Sequence, residues 1–282
     1  MKLRLLGRLL IDAAWQWSDD NAPRMGAALA YYTIFSIAPL LVIATAVAGL
    51  IFGHQAVEGQ ISEQIRYVVG AEGGEIIQTM VASAGNRKSG ILATVIGSVV
   101  LLFGALGLFS ELQAAMNTIW KSPAKPMGGI FGFLKSRLPS FLMMLGSVLL
   151  IFVSVVFSAI LAGTEALPGG PGVASLAQGA HALATFIIVT LLFAMIYRLV
   201  PNVRISWGDV GLGAVITALL FTVGKWLIGL YLGRASVASA YGAAGSLAVL
   251  LIWVYYSAQI FLFGAEFTRA YAQRQGHGAQ GT

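Results

Sequence analysis

Ile91-Leu-Ala-Thr-Val-Ile-Gly-Ser-Val-Val-Leu-Leu-Phe-Gly-Ala-Leu-Gly-Leu-Phe109 contains neither a charged residue nor a proline. Its nineteen residues, at about 1.5 Å each, make a helix about 28 Å long, close to the hydrocarbon thickness of a bilayer. A single such run also suits a helix buried in a large soluble core. Composition decides between the two. Of 282 residues, 58% are hydrophobic and only 10% charged, where soluble domains carry about 25% charged residues. So apolar a chain needs lipid as its solvent. The predicted fold class is therefore all-α: a polytopic transmembrane helical bundle with interfacial amphipathic helices.

Outward from that stretch, five further apolar segments are long enough to span. The predicted spans are 27–52, 91–118, 138–161, 182–200, 210–232 and 246–267, about six in all, within one transmembrane domain over 1–272. Leu167-Pro-Gly-Gly-Pro-Gly172 is read as a non-helical turn before the fourth span. The polar tail 273–282 is read as disordered. Before the first span, Arg4, Arg8 and Asp12 recur every four residues and so share one helical face. Leu6, Leu10 and Trp17 lie on the other, with Leu3 and Leu9 near its edges. This predicts an amphipathic helix on the cytoplasmic membrane surface rather than a signal peptide. Ser18-Asp19-Asp20-Asn21 and Pro23 signal the start of the next helix. Between the first two spans, Val57, Ile61, Ile65 and Val68 recur at helical spacing, as do Ile76, Ile77 and Met80, and predict short interfacial helices.

Charge sets the orientation. With the N-terminus inside, twelve of the seventeen Lys and Arg residues fall on the cytoplasmic side and four outside, while Lys225 lies within a span. That asymmetry is the positive-inside pattern, and both termini are expected in the cytoplasm. It also accounts for the net charge of +6 without a nucleic-acid partner. The absence of Cys excludes disulfides, thiolate metal sites and cysteine nucleophiles. His54, His181 and His277 form no metal-spaced pair. No cofactor and no metal are expected.

Several segments carry a resemblance in their order. They are Ala28-Leu-Ala-Tyr-Tyr-Thr-Ile-Phe-Ser-Ile-Ala-Pro-Leu40, Ala115-Met-Asn-Thr-Ile-Trp120, Tyr197-Arg-Leu-Val-Pro201, Tyr241-Gly242, Trp253-Val-Tyr-Tyr-Ser257 and Gly264-Ala-Glu266. Together they resemble the YihY/virulence factor BrkB family of bacterial inner-membrane proteins, once described as ribonuclease BN. The resemblance implies about six transmembrane helices and a place in the inner membrane. It brings no catalytic residue with it.

The candidate substrate or cavity residues are Tyr31, Tyr32, Pro39, Glu111, Asn117, Arg198, Lys225 and Glu266. Gly97, Gly104, Glu111 and Thr118 are spaced by seven and form nearly one helical face. That groove suits a helix partner or a substrate head group. Glu111 lies about 30 Å along its helix, where hydration makes a carboxylate cheap. Lys225, about 22 Å into its span, either snorkels beside Trp226 or faces a polar cavity. Arg198 is expected to tie helix ends through Glu266 or Glu111. Tyr31, Tyr32, Ser36 and the kink at Pro39 suit either a cavity lining or an aromatic belt. Asn117 sits near the inner boundary.

The expected function is a transporter or flippase-like activity on an anionic lipid or small solute, with membrane lipids as partners. A non-transporting scaffold is the alternative. A channel is a third reading, although no selectivity filter is visible. Oligomerisation is left open. An enzyme is not expected, because Asp12, Asp19 and Asp20 are the nearest approach to an acidic cluster and read as interfacial charge and helix capping.

Overall fold

The computed structural model describes residues 3–36, 91–122, 171–203, 205–234 and 245–276. They form six helices: α1 (Leu3–Asp19), α2 (22–36), α3 (Ile91–Ile119), α4 (Pro171–Leu199), α5 (Trp207–Arg234) and α6 (Gly245–Arg274). No strand occurs among the described residues. The last four helices have 28 to 30 residues, about 42–45 Å at 1.5 Å per residue, enough to cross the hydrocarbon and reach the headgroups on both sides. Among the described residues, Ala182–Leu199, Trp207–Tyr231 and Ala248–Arg274 are long and apolar enough to cross a membrane. The expected interfacial helices between 54 and 88, the third span at 138–161, Pro39 and most of the first span lie outside the described residues.

Exposure follows the pattern of a lipid solvent. On α4, Leu183, Ile187 and Leu191 are exposed at a spacing of four. On α5, Val215, Leu219, Val223, Trp226, Leu227 and Leu230 form a longer stripe of the same kind. In water such stripes would be aggregation surfaces, whereas facing acyl chains they are the ordinary exterior. Hydroxyls are turned inward or onto their own helix. Thr33, Ser36, Thr190, Thr217 and Thr268 each bond the carbonyl four residues back at 2.7 Å, which satisfies them where no water can.

The ends of the helices depart from expectation. α4 begins at Pro171, inside the stretch read as a turn. A proline at the first helical position has no bond to lose there, so Pro171 starts the helix instead of interrupting it. α6 continues through Gln273 and Arg274, positions assigned to the disordered tail, because Phe267, Ala270 and Tyr271 pack against α1. It closes at Gly276, whose φ of 76° suits glycine. The turn from α1 to α2 runs through Asn21, at φ 55°, a region asparagine tolerates. Its carbonyl receives the amides of Arg24 and Met25, while its side chain bonds back to the Asp19 carbonyl at 3.4 Å.

By contact, the chain forms two compact units: Met1–Gln16 with Met116–Leu219 and Phe263–Thr282, and Trp17–Ala115 with Leu220–Leu262. Each cut falls inside a helix, so neither unit is a separate stretch of sequence. In the first unit, Leu9 and Ala13 of α1 form a buried cluster with Phe267 and Ala270 of α6, joined by Leu6, Leu10, Ile216, Phe263 and Tyr271. The face of α1 expected to rest on the membrane is thus covered by protein. In the second unit, Ala30 of α2 packs with Leu250 and Val254 of α6, beside Ile34 and Trp253.

Candidate functional site

In the first unit, α4, α5 and α6 meet at a buried polar junction. Tyr197, Thr217, Thr268 and Glu266 are all fully buried. Thr217 commits its hydroxyl hydrogen to the Gly213 carbonyl at 2.7 Å. Its oxygen therefore accepts from the Tyr197 hydroxyl, 3.1 Å away. Gly264 makes room for that pair, since a Cβ there would collide with Thr217 Oγ1 and Tyr197. Gly213 makes room for Thr268 in the same way. The two helices thus interlock reciprocally. Gly213 and Thr217 on α5 face Thr268 and Gly264 on α6, each Gly opposite the other helix's Thr, an antiparallel pairing in which backbones approach closely.

Glu266 sits beside this junction on α6, with Arg269 one turn on at 3.6 Å. Arg198 was expected to tie Glu266 or Glu111. Instead its guanidinium lies over the Trp207 ring, 4.7 Å from the centroid. The planar cation finds a partner in the first residue of α5. Asn117 bridges in a different way. Its Oδ1 accepts the Asn202 amide at 2.8 Å and its carbonyl accepts the Ser122 amide at 2.9 Å, so the end of α3 holds the α4–α5 turn.

In the second unit, Tyr31 is exposed and meets Tyr32 edge-on at 5.3 Å and Phe35 at 4.9 Å. Tyr32 packs over Gly107. At Gly104 the groove of small residues is occupied by α2, since a Cβ there would lie 3.3 Å from the Ser36 backbone nitrogen. Glu111 is half-buried, and Lys225 is half-buried on α5 beside exposed Trp226. Gln259 covers Gly26 and reaches the Pro23 carbonyl at 3.5 Å. Of the sequence candidates, Tyr31, Tyr32, Glu111 and Lys225 belong to this unit and Asn117, Arg198 and Glu266 to the other. Thr217, Thr268 and the Asp12–Arg274 pair were missed. The repeated Gly-x-x-x-Thr on α5 and α6 was the available signal for the first two.

No three His, Asp or Glu side chains among the described residues converge on a metal-sized site. Long helices with apolar exteriors, internally bonded hydroxyls and, among the described residues, two buried carboxylates, Asp209 and Glu266, define a helical membrane protein. The chain belongs to the virulence factor BrkB family, whose model matches residues 13–282.

It is 29% identical to a UPF0761 membrane protein of Pseudomonas aeruginosa (strain LESB58) over 255 residues, covering 89% of this chain and 60% of that protein. A UPF0761 membrane protein of Alcanivorax borkumensis is 29% identical over 271 residues, with coverage of 94% and 60%. One from Psychromonas ingrahamii is 30% identical over 261 residues, with coverage of 90% and 84%. The chain spans 60% of the length of the Pseudomonas and Alcanivorax relatives. No solved structure matches it.

Proposed function

We propose that the chain is a transporter of flippase-like type, moving an anionic lipid or small solute across a bacterial inner membrane, with both termini cytoplasmic. The observation that carries this is Glu266, a carboxylate fully buried on α6 within Ala248–Arg274. Removing an ion pair from water costs several kcal/mol per ion, and apolar packing would join helices more cheaply. A carboxylate kept wholly from water in the last turns of a spanning helix, where solvent is near, is a candidate functional group. Glu266 suits a proton step, and Arg269 beside it suits the head group of an anion. The contact of α1 with the end of α6 supports placing both termini on one side, and the Lys and Arg distribution supports the cytoplasmic side.

One observation favours a scaffold instead: the Gly and Thr interlock uses the polar content of α5 and α6 for helix association. The proposal assigns no enzymatic activity and no nucleic-acid partner. Proteoliposomes carrying fluorescent phosphatidylglycerol separate the readings. Transport predicts loss of the labelled lipid from one leaflet, abolished by Glu266→Gln at normal protein abundance. A wild-type protein that moves neither this lipid nor labelled anions under any imposed gradient removes the reading, and a fully active Glu266→Gln protein removes the assigned role.

A further inference from the structure

α1 has two faces, and the protein uses only one. Leu6, Leu9, Leu10 and Ala13 are taken by α5 and α6. On the opposite face, Arg8 is exposed, Ile11 is 58% exposed and Trp15 is 68% exposed. Their spacing of three and four keeps them in one line along the helix. Ile11 and Trp15, one turn apart, make a contiguous exposed apolar patch, the kind of surface that marks a membrane or partner contact.

We propose that the Arg8–Ile11–Trp15 face of α1 docks on the anionic headgroup layer of the bilayer that α6 spans. Three observations select this occupant. First, α1 is fastened to the terminal turns of a spanning helix, through Phe263, Phe267, Ala270 and Tyr271 and through the Asp12–Arg274 ion pair. The end of a span is where the headgroups are. Second, the face combines an indole, an aliphatic side chain and a guanidinium. Indole and isoleucine favour the boundary between acyl chains and water, and the guanidinium pairs with lipid phosphate. Third, the nearest carboxylate of the helix, Asp12, has its charge balanced by Arg274 at 2.5 Å. Along the exposed line Arg8 stands at one end and Asp19, one turn beyond Trp15, at the other, so the Arg8 end is the one that suits anionic lipid.

The inference concerns anchoring and stands apart from the transport reading. The chain has no Cys, so one introduced thiol carries one probe. Full-length Ile11→Cys and Trp15→Cys proteins, labelled with an environment-sensitive fluorophore, are reconstituted in vesicles of phosphatidylcholine with and without phosphatidylglycerol. Gln273→Cys, at an exposed position, serves as the solvent control. Both α1 probes are expected to be quenched by a lipid bearing a headgroup-level nitroxide. Aqueous iodide quenching should be roughly two-fold lower with phosphatidylglycerol than without, and Arg8→Gln should erase that difference. An unchanged melting temperature for Arg8→Gln ensures that the loss reports the face and not the fold. Two results overturn the proposal. In one, iodide reaches the probes as freely as the control and the nitroxide does not. In the other, shielding rises with protein density at fixed lipid composition, which assigns the face to a second copy of the chain.

Discussion

Thr217 occupies the space that Gly264 leaves open, and there it accepts a hydrogen bond from Tyr197. The fit is tight enough to be tested by single methyl groups. Gly264→Ala would set a Cβ against Thr217 Oγ1 and the Tyr197 hydroxyl. Overpacking of this kind costs about 1–3 kcal/mol. The melting temperature in detergent should fall by several degrees. Gly213→Ala should act similarly, and Thr268→Ala in the same chain should restore part of the loss, since Thr268 is what the new Cβ would meet. An unchanged melting temperature for both glycine variants would dismantle the interlock.

The two hydroxyls of that junction are not equivalent. Tyr197→Phe removes a donor while Thr217 keeps its own bond to Gly213, so the loss should be about 0.5–1.5 kcal/mol. Thr217→Val preserves shape but takes away the acceptor Tyr197 uses, leaving a buried hydroxyl to meet a methyl at about 1–3 kcal/mol. Equilibrium unfolding of both variants should rank Thr217→Val as the less stable. The reverse order would mean that Thr217 is the donor.

The spans were legible because lipid leaves the backbone one option. Apolar runs such as 182–199 and 210–232, with one charged residue each, must bond internally, and α4 and α5 cover them. Helix ends were not legible in the same way. α6 was expected to stop near Phe267 but continues to Arg274, because α1, more than two hundred residues away in sequence, buries that last stretch. The interlock was missed for a related reason. Gly264 was noticed as part of a motif and Thr217 was not, since the Gly-x-x-x-Thr spacing becomes informative only when one helix is compared with the other. Arg198 was assigned a carboxylate because charge was counted and the face of Trp207 was not.

α1 should be held by its apolar side rather than by its ion pair. Leu9 is fully buried in the cluster with Phe267, and Leu9→Ala should cost about 2–5 kcal/mol. Asp12 and Arg274 are each more than a third exposed, and a double-mutant cycle on Asp12→Asn and Arg274→Gln should give a coupling of about 1 kcal/mol or less, shrinking as salt is added. Equilibrium unfolding measures both effects. A salt-insensitive coupling as large as the Leu9 effect would reverse the assignment.

α3 ends in a Schellman arrangement, with Ser122 bonded to the Asn117 carbonyl and Lys121 to that of Thr118. The motif places Lys121 at φ 48°, where a side chain costs about 1 kcal/mol that glycine does not incur. Lys121→Gly should raise the melting temperature slightly, although the lysine is exposed and the change removes a charge. Lys121→Asn should fall between them, because asparagine tolerates this conformation better than lysine does. Lys121→Val should lower the melting temperature, since branching at Cβ suits this region least. A common melting temperature for all four proteins would show that the last turn of α3 does not hold its left-handed residue in the folded state, and the Asn117–Asn202 bond that depends on that end of the helix would lose its support with it.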